Sequence, residues 1–595
     1  MTMFSKRRRK TVIGLIIEDI YTDFSNDIIK SIKNAIPADS DIRLMVFGGR
    51  YDVEAGSGSR MSSYKTVYNS VFRLANICEL DGLIVHLGNS CNKGNDPIRS
   101  EFFDVFGGIP KVFICADSEK QLTVNYDNET GIREAVDYLV NVNGSSNICM
   151  LGGRDDNIDA IKRKQIFISC LEEHGVEFVE RNYEPTDMSM NCVEEAGRLL
   201  DRNPFAEAVF CVNDAVASGL YAAMQARGLK PGRDILVFGF DNTHLAGELI
   251  PSLTSIGSEK ETLGQKAFEL LMKRINGEKC SSALIPTRLY GRESFDYEMY
   301  EYTYTEMIKG NNDFIYKMFD DCFYRYKTEN FGREPVNLRR LFFEIISGML
   351  RALKRRYMSN EEFGELCRMV DIFFDKGAME YTDAEKLIGS VERLQVSMNT
   401  AQRLSSTNII FLNRLFLRMK DNAICAISAQ KVRQSRSCFL SREKVQEFLI
   451  EGTAYTDSAE ENLSHIIKNL GRLGINNAAF YLYEKPFEYC GGSFVSYPET
   501  IDLRCAIKSG ELYSLSKGRH RCVLKELFRR EDMLSRYNGY AIFPVFYREL
   551  IYGMLICELT EEICSRGEYF SVLLGRAIHI NETDSKLRSA GAALQ

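Results

Sequence analysis

The chain has 595 residues, a net charge of -7, and 45% hydrophobic, 26% charged and 11% aromatic residues. At about 150 residues per domain this is material for roughly four folding units, and the composition excludes a mostly disordered or collagen-like chain. The acidic balance argues against nucleic-acid binding through bulk positive charge, and seventeen cysteines without a CxxC pair read as buried thiols of a reducing cytoplasm, with neither a disulfide framework nor a metal site.

No apolar run reaches the roughly 18 residues of a membrane span, so a cytoplasmic protein without membrane association is expected. Lys6-Arg7-Arg8-Arg9-Lys10 precedes the apolar run Thr11 to Ile17, but Glu18-Asp19 ends that run too early for an export signal, and residues 1–10 read as a solvated basic tail. From residue 11 to 297, buried-strand runs alternate with amphipathic helices, the pattern of an α/β fold with a parallel sheet. The strands are expected at Thr11–Ile17, Asp41–Phe47, Asp81–Leu87, Lys111–Ala116, Asn147–Leu151, Ala208–Val212 and Ile235–Phe240. Ile28, Ile29, Ile32 and Ile36 share one helical face after the cap candidates Ser25-Asn26-Asp27, and Gly228 and Gly277 stand where left-handed caps would end two helices.

No proline occurs between Pro335 and Pro486, which favours long helices in residues 298–440, a helical connector suited to a homodimer. Amphipathic stretches run over Leu341–Leu353, Phe363–Phe374, Ala384–Met398 and Leu404–Met419. From 441 to 580 come helices at 441–451 and 459–473, then strands at Ala478–Tyr483, Ser493–Tyr497, Tyr540–Tyr547 and Leu550–Glu558, the last two a hairpin. A helix from Gly567 to about Arg588 follows, with 581–595 as its end and tail.

Six segments in order resemble the effector-binding domain of the LacI/GalR family, a bilobed type I periplasmic-binding-protein fold. They are Ile16 to Phe24, Asp81-Gly82-Leu83-Ile84-Val85, Val124 to Asn128 with Gly131, Asn213 to Gly219, Val237 to Asn242, and Pro251 to Ile256. The resemblance implies one lobe at about 11–126 and 260–286 and a second at about 127–259 and 287–297. It also implies a small polar effector, sugar-like, held between the lobes. Arg163, Asn213 and Asp241 match the family's polar ligand contacts, and Tyr21 and Phe24 its aromatic ones. Asp19, Phe24, Asn213 and Asp241 also lie just past expected strand ends, where ligands of open α/β sheets bind. Removing Arg163 or Asp241 is expected to abolish ligand-induced stabilisation while leaving the unliganded melting point nearly unchanged.

The sequence departs from the family after Arg163, where Ile166 precedes Phe167, and it has no tryptophan. Ten residues before the first strand are too few for a helix-turn-helix headpiece of roughly 60 residues. DNA contact is therefore left open. Residues 441–580 resemble a GAF domain through Tyr540 to Val545 and Gly553-Met554-Leu555-Ile556, an arrangement similar to the sensor portion of bacterial GGDEF signalling proteins, without the GGDEF signature.

The six histidines show no HExxH or HxH spacing and read as ordinary, Gly152-Gly153 is no phosphate loop, and no nucleophile stands beside a base. No catalytic residue, cofactor or metal is expected. The chain thus reads as a ligand-sensing transcription-regulatory or signal-transduction protein that relays cleft closure to the GAF-like module. Alternatives are a DNA-associated regulator acting through an unrecognised contact, and a truncated or degenerate diguanylate cyclase.

Overall fold

A computed structural model describes residues 10–37, 40–50, 60–87, 107–116, 121–155, 157–258, 260–295, 307, 312–323, 326, 337–355, 357–382, 384–400, 406–451, 461–465, 475–489, 497–515, 520–530 and 539–593. The basic tail, the expected strand Ser493–Tyr497 apart from its last residue, and most of the expected helix 459–473 lie outside the described residues.

One sheet begins with β1 (Thr11–Glu18), β2 (Ile42–Gly49), β3 (Gly82–His86), β4 (Lys111–Ile114) and β5 (Thr123–Tyr126). These strands pair in parallel in the order β5-β4-β3-β1-β2. Ile13, Leu15, Ile16 and Ile17 are fully buried, as befits strands covered on both faces. A second sheet holds β6 (Ile148–Gly152), β7 (Tyr183–Pro185), β8 (Ala208–Cys211), β9 (Leu236–Phe240) and β10 (Thr254–Gly257). The chain crosses between the sheets once after Tyr126. Near the end of this region, β11 (Ala283–Ile285) pairs with β5 in the first sheet, and β12 (Arg288–Tyr290) with β10 in the second. The crossovers are tied together: Asp127 N donates to Ile285 O at 2.8 Å, and Gly131 N to Thr287 Oγ1 at 3.1 Å.

Helices Asp23–Ala35 and Lys260–Ile275 pack together, and Gly264 makes the contact close, since a Cβ there would stand 2.2 Å from Ser31 Oγ. The cap of the first helix is Thr22, whose hydroxyl accepts from Ser25 N at 3.2 Å, and not one of the three residues expected. Gly228 and Gly277 take φ of +71° and +79°, the left-handed conformation expected of helix ends.

Helices Asn312–Cys322, Leu338–Arg355, Asn360–Asp375, Ala384–Thr400 and Ser406–Glu451 surround a core of their own, which includes Phe319, Phe342, Phe373, Leu412 and Phe416. The last is one 46-residue helix running through the boundary expected at residue 440. Neither glycine nor proline interrupts it.

The carboxyl-terminal strands are β13 (Ala478–Glu488), β14 (Thr500–Lys508), β15 (Glu511–Ser514), β16 (Arg521–Val523), β17 (Gly539–Tyr547) and β18 (Leu550–Glu558). They are antiparallel among themselves, but β17 also pairs in parallel with β2, from Gly539 opposite Leu44 to Ile542 opposite Phe47. Front and rear strands therefore form one 12-stranded sheet. The edge of β2 carries Leu44, Met45, Val46 and Phe47, all fully buried, and an uncovered edge of that composition would invite pairing with another chain. The helix Glu561–Ala593 packs on β17 and continues through the segment expected as a tail.

Candidate functional site

A cavity of about 480 Å³ opens between the two sheets of the front half. Tyr21, Thr22 and Phe24 reach it from the end of β1, His86 from β3 and Cys115 from β4. Across the gap stand Asp159 and Arg163 after β6, Met188 and Met190 after β7, Asn213 and Asp214 after β8, and Asp241 and Thr243 after β9. Each lies at or beyond the carboxyl end of its strand, where a parallel sheet leaves loops and helix starts free to meet a ligand.

Five of the six expected site residues come together in this cleft. Asp19 is not among the lining residues; it faces the Arg50 guanidinium at 3.9 Å. Arg163 is 3% exposed and already held on several sides. Its nitrogens donate to Asn128 Oδ1 at 3.2 Å, to Val212 O at 2.7 Å and to Asp241 Oδ1 at 3.2 Å, and its plane lies 3.6 Å from the Phe240 ring centre. Asn213 does two things at once, because its carbonyl caps the helix Asp214–Ala226 through Val216 N at 2.8 Å while its amide donates to Met188 O at 3.0 Å. Phe24, Tyr126 and Phe240 form an aromatic line across the crossover, with ring centres 6.4 and 6.3 Å apart.

The buried Asp214 carboxylate fixes the Asp241 loop. It accepts from Thr243 N at 2.6 Å, Thr243 Oγ1 at 2.9 Å and Ser255 Oγ at 2.6 Å. Asp241 and Asn242 have φ of 94° and 48°, Asp19 49°, Cys115 53° and Met188 69°. Such conformations cost a non-glycine residue free energy and persist only where the surroundings impose them. Cys115, Met188 and Asp241 among them gather at strand ends around one cavity, which makes it the candidate functional site.

Sequence reasoning missed His86, Cys115, Asp159 and Asp214. His86 was expected to be ordinary, yet it lines the cleft with its ring centre 5.4 Å from that of Phe24, and its buried Nδ1 has no hydrogen-bond partner among the described residues. Burial pushes its pKa down to about 4, so the ring is neutral at pH 7. The strand expected to run to Leu87 placed His86 inside it, where a rule for residues past strand ends does not reach; the strand ends at His86 itself. Asp214 follows Asn213 directly, but only the tertiary structure brings Ser255 and Thr243 to it. Among the described residues no cluster of His, Cys, Asp and Glu could hold a metal ion, and no helix is long and apolar enough to cross a membrane.

Residues 136–295 match the family model of the periplasmic binding protein-like domain. The chain is 31% identical over 210 residues to the HTH-type transcriptional repressor PurR of Vibrio vulnificus, a match covering 34% of this chain and 59% of that protein. It is 26% identical over 293 residues to catabolite control protein A of Priestia megaterium, covering 48% and 82%. Among solved structures, a transcriptional regulator CelR–cellobiose complex aligns over 49% of this chain and 86% of its own, with 23% identity and a TM-score of 0.40. The chain spans less than two thirds of the length of the PurR repressor it matches. PurR and CelR are named as transcriptional regulators. The front half of the chain carries a periplasmic-binding-protein-like domain similar to the effector-binding domain of LacI/GalR regulators.

Proposed function

We propose that this chain is a cytoplasmic, ligand-sensing regulatory protein whose interlobe cleft binds a small, neutral, polyhydroxylated molecule of the sugar kind. The observation that carries this reading is the lining of the cleft. Tyr21 and Phe24 offer aromatic faces, and Asp159, Asn213 and Asp241 offer planar polar groups. Asp159, Asp214 and Asp241 outnumber Arg163, whose charge already meets Asp241, so an anionic ligand would be repelled. Contacts made to both lobes favour the closed arrangement, which in this reading is passed to the GAF-like residues 441–580 of a homodimer. The names of the relatives favour a second reading of the output, in which the chain regulates transcription through a DNA contact or a DNA-bound partner. A gel-shift assay across salt concentrations separates the two outputs.

A thermal-shift panel of neutral mono- and disaccharides, cellobiose included, on the full chain tests the binding. A binder at a hundredfold excess over its Kd stabilises by about 2.7 kcal/mol. One or more neutral sugars raise the melting temperature, glucose 6-phosphate does not, and Asp241→Ala abolishes the shift. A response confined to phosphorylated compounds refutes the proposal.

A further inference from the structure

The rim of the cleft is joined to the far end of the chain by one side chain. Arg50, just beyond β2, places its guanidinium 4.2 Å from the centre of the Tyr21 ring, and Tyr21 lines the cleft. On its other side, Arg50 Nε lies 2.9 and 2.7 Å from the two carboxylate oxygens of Glu568, with a terminal nitrogen 2.6 Å from one of them. Glu568 belongs to the helix Glu561–Ala593 and also accepts from the Tyr64 hydroxyl at 2.7 Å. The Arg50 backbone is fixed in turn: its N–H donates to Asn69 Oδ1 at 2.7 Å, and its carbonyl accepts from Asn69 Nδ2 at 2.8 Å. The Glu568 side chain is only 15% exposed, so water screens this pair weakly.

We infer that Arg50 and Glu568 are positioning residues for the ligand cleft: the carboxyl-terminal helix holds Arg50, Arg50 holds the Tyr21 ring, and the seating of that helix is coupled to what the rim of the cleft does. A guanidinium is a planar fork with a fixed set of donors. With its edge on Glu568 and its face on Tyr21, it cannot follow a displaced ring without disturbing the carboxylate. Coupling by this route runs within the first sheet and needs no rotation of the second lobe. The role given to Tyr21 rests on the proposed ligand reading of the cleft.

The test is a mutational cycle in the full chain, read by hydrogen exchange of the amides of residues 563–572. Arg50 touches both Tyr21 and Glu568, so a dependence of one on the other that disappears with Arg50→Met passes through it. Tyr21→Leu is expected to speed exchange there by about threefold in the natural background and to have little effect once Arg50→Met is present. Equal acceleration in both backgrounds, or none in either, overturns the inference. A merely structural Arg50 would lower stability without this cross-dependence. Should Arg50→Met fail to fold, Arg50→Lys, which keeps the charge and loses the fork, and Glu568→Gln serve as the second background under the same criterion. No ligand is added, so the outcome is independent of the sugar panel that tests the binding reading.

Discussion

Arg163 and Asp241 hold one another, and that changes what each mutation should do. Arg163 lies buried with Asn128, Val212 O and Asp241 as partners, so Arg163→Ala removes a network rather than a free ligand clamp. It should cost about 3 kcal/mol of unliganded stability, and not leave it nearly unchanged. Asp241→Ala leaves Arg163 two of those partners and should cost about 1 to 2 kcal/mol. Urea midpoints of the two variants check this order, and a larger loss for Asp241→Ala refutes it. His86 supplies a pH signature. Its folded-state pKa of about 4 lies below the ordinary histidine value, so the unfolded chain takes up the proton first. Stability is therefore constant in this respect above about pH 6.5 and falls as the pH drops from there toward 4, by up to about 3 kcal/mol. His86→Gln should flatten that part of the profile; a parallel profile would assign the slope to other groups.

At the scale of elements, the rear strands are joined by close backbone approaches that tolerate no side chain. A Cβ on Gly575 would stand 1.9 Å from Phe546 O, so Gly575→Ala must lift the helix Glu561–Ala593 off β17. A loss of several kcal/mol is expected, against the gain of about 1 kcal/mol that the same change gives in a free helix interior. Chemical denaturation measures it, and an unchanged midpoint would refute this packing. The hairpin β17–β18 was readable from sequence because two apolar runs flank Arg548-Glu549. Strand β14 was overlooked although Ile501, Leu503 and Cys505 alternate with Asp502 and Arg504 at the period of a strand, whereas β15 and β16, with four and three residues, hold too little periodicity to be read. β11 and β12 escaped for the same reason.

At the scale of the whole molecule, the front and rear halves share a sheet and a buried charge. Arg43 on β2 is 1% exposed and donates to Phe528 O and, at 3.2 Å, to Arg530 O, both in the rear half. Arg529 meets Asp81 at 3.0 Å and Lys33 reaches Leu559 O at 3.1 Å. A chain cut near residue 297 would expose the edge of β2 and strip Arg43 of these partners. Such a fragment should self-associate, seen by light scattering, while the full chain should unfold these two regions together. A monomeric, fully stable fragment would show the shared sheet to be dispensable.

The sequence by itself determined the alternation of strands and helices in the front half, the position of most cleft residues at strand ends, and the run of helices after Pro335. Each of these is written in local periodicity, in turn residues, or in an ordered set of motifs. Only the tertiary structure decided that Arg163 is occupied by Asp241, that His86 and Asp214 belong to the cleft, and that β17 completes the sheet begun by β2. Those facts depend on which residues meet across long stretches of chain, from 78 positions for Arg163 and Asp241 upward to the pairing of β17 with β2, and hydrophobic periodicity records which face of a strand is buried without recording what buries it.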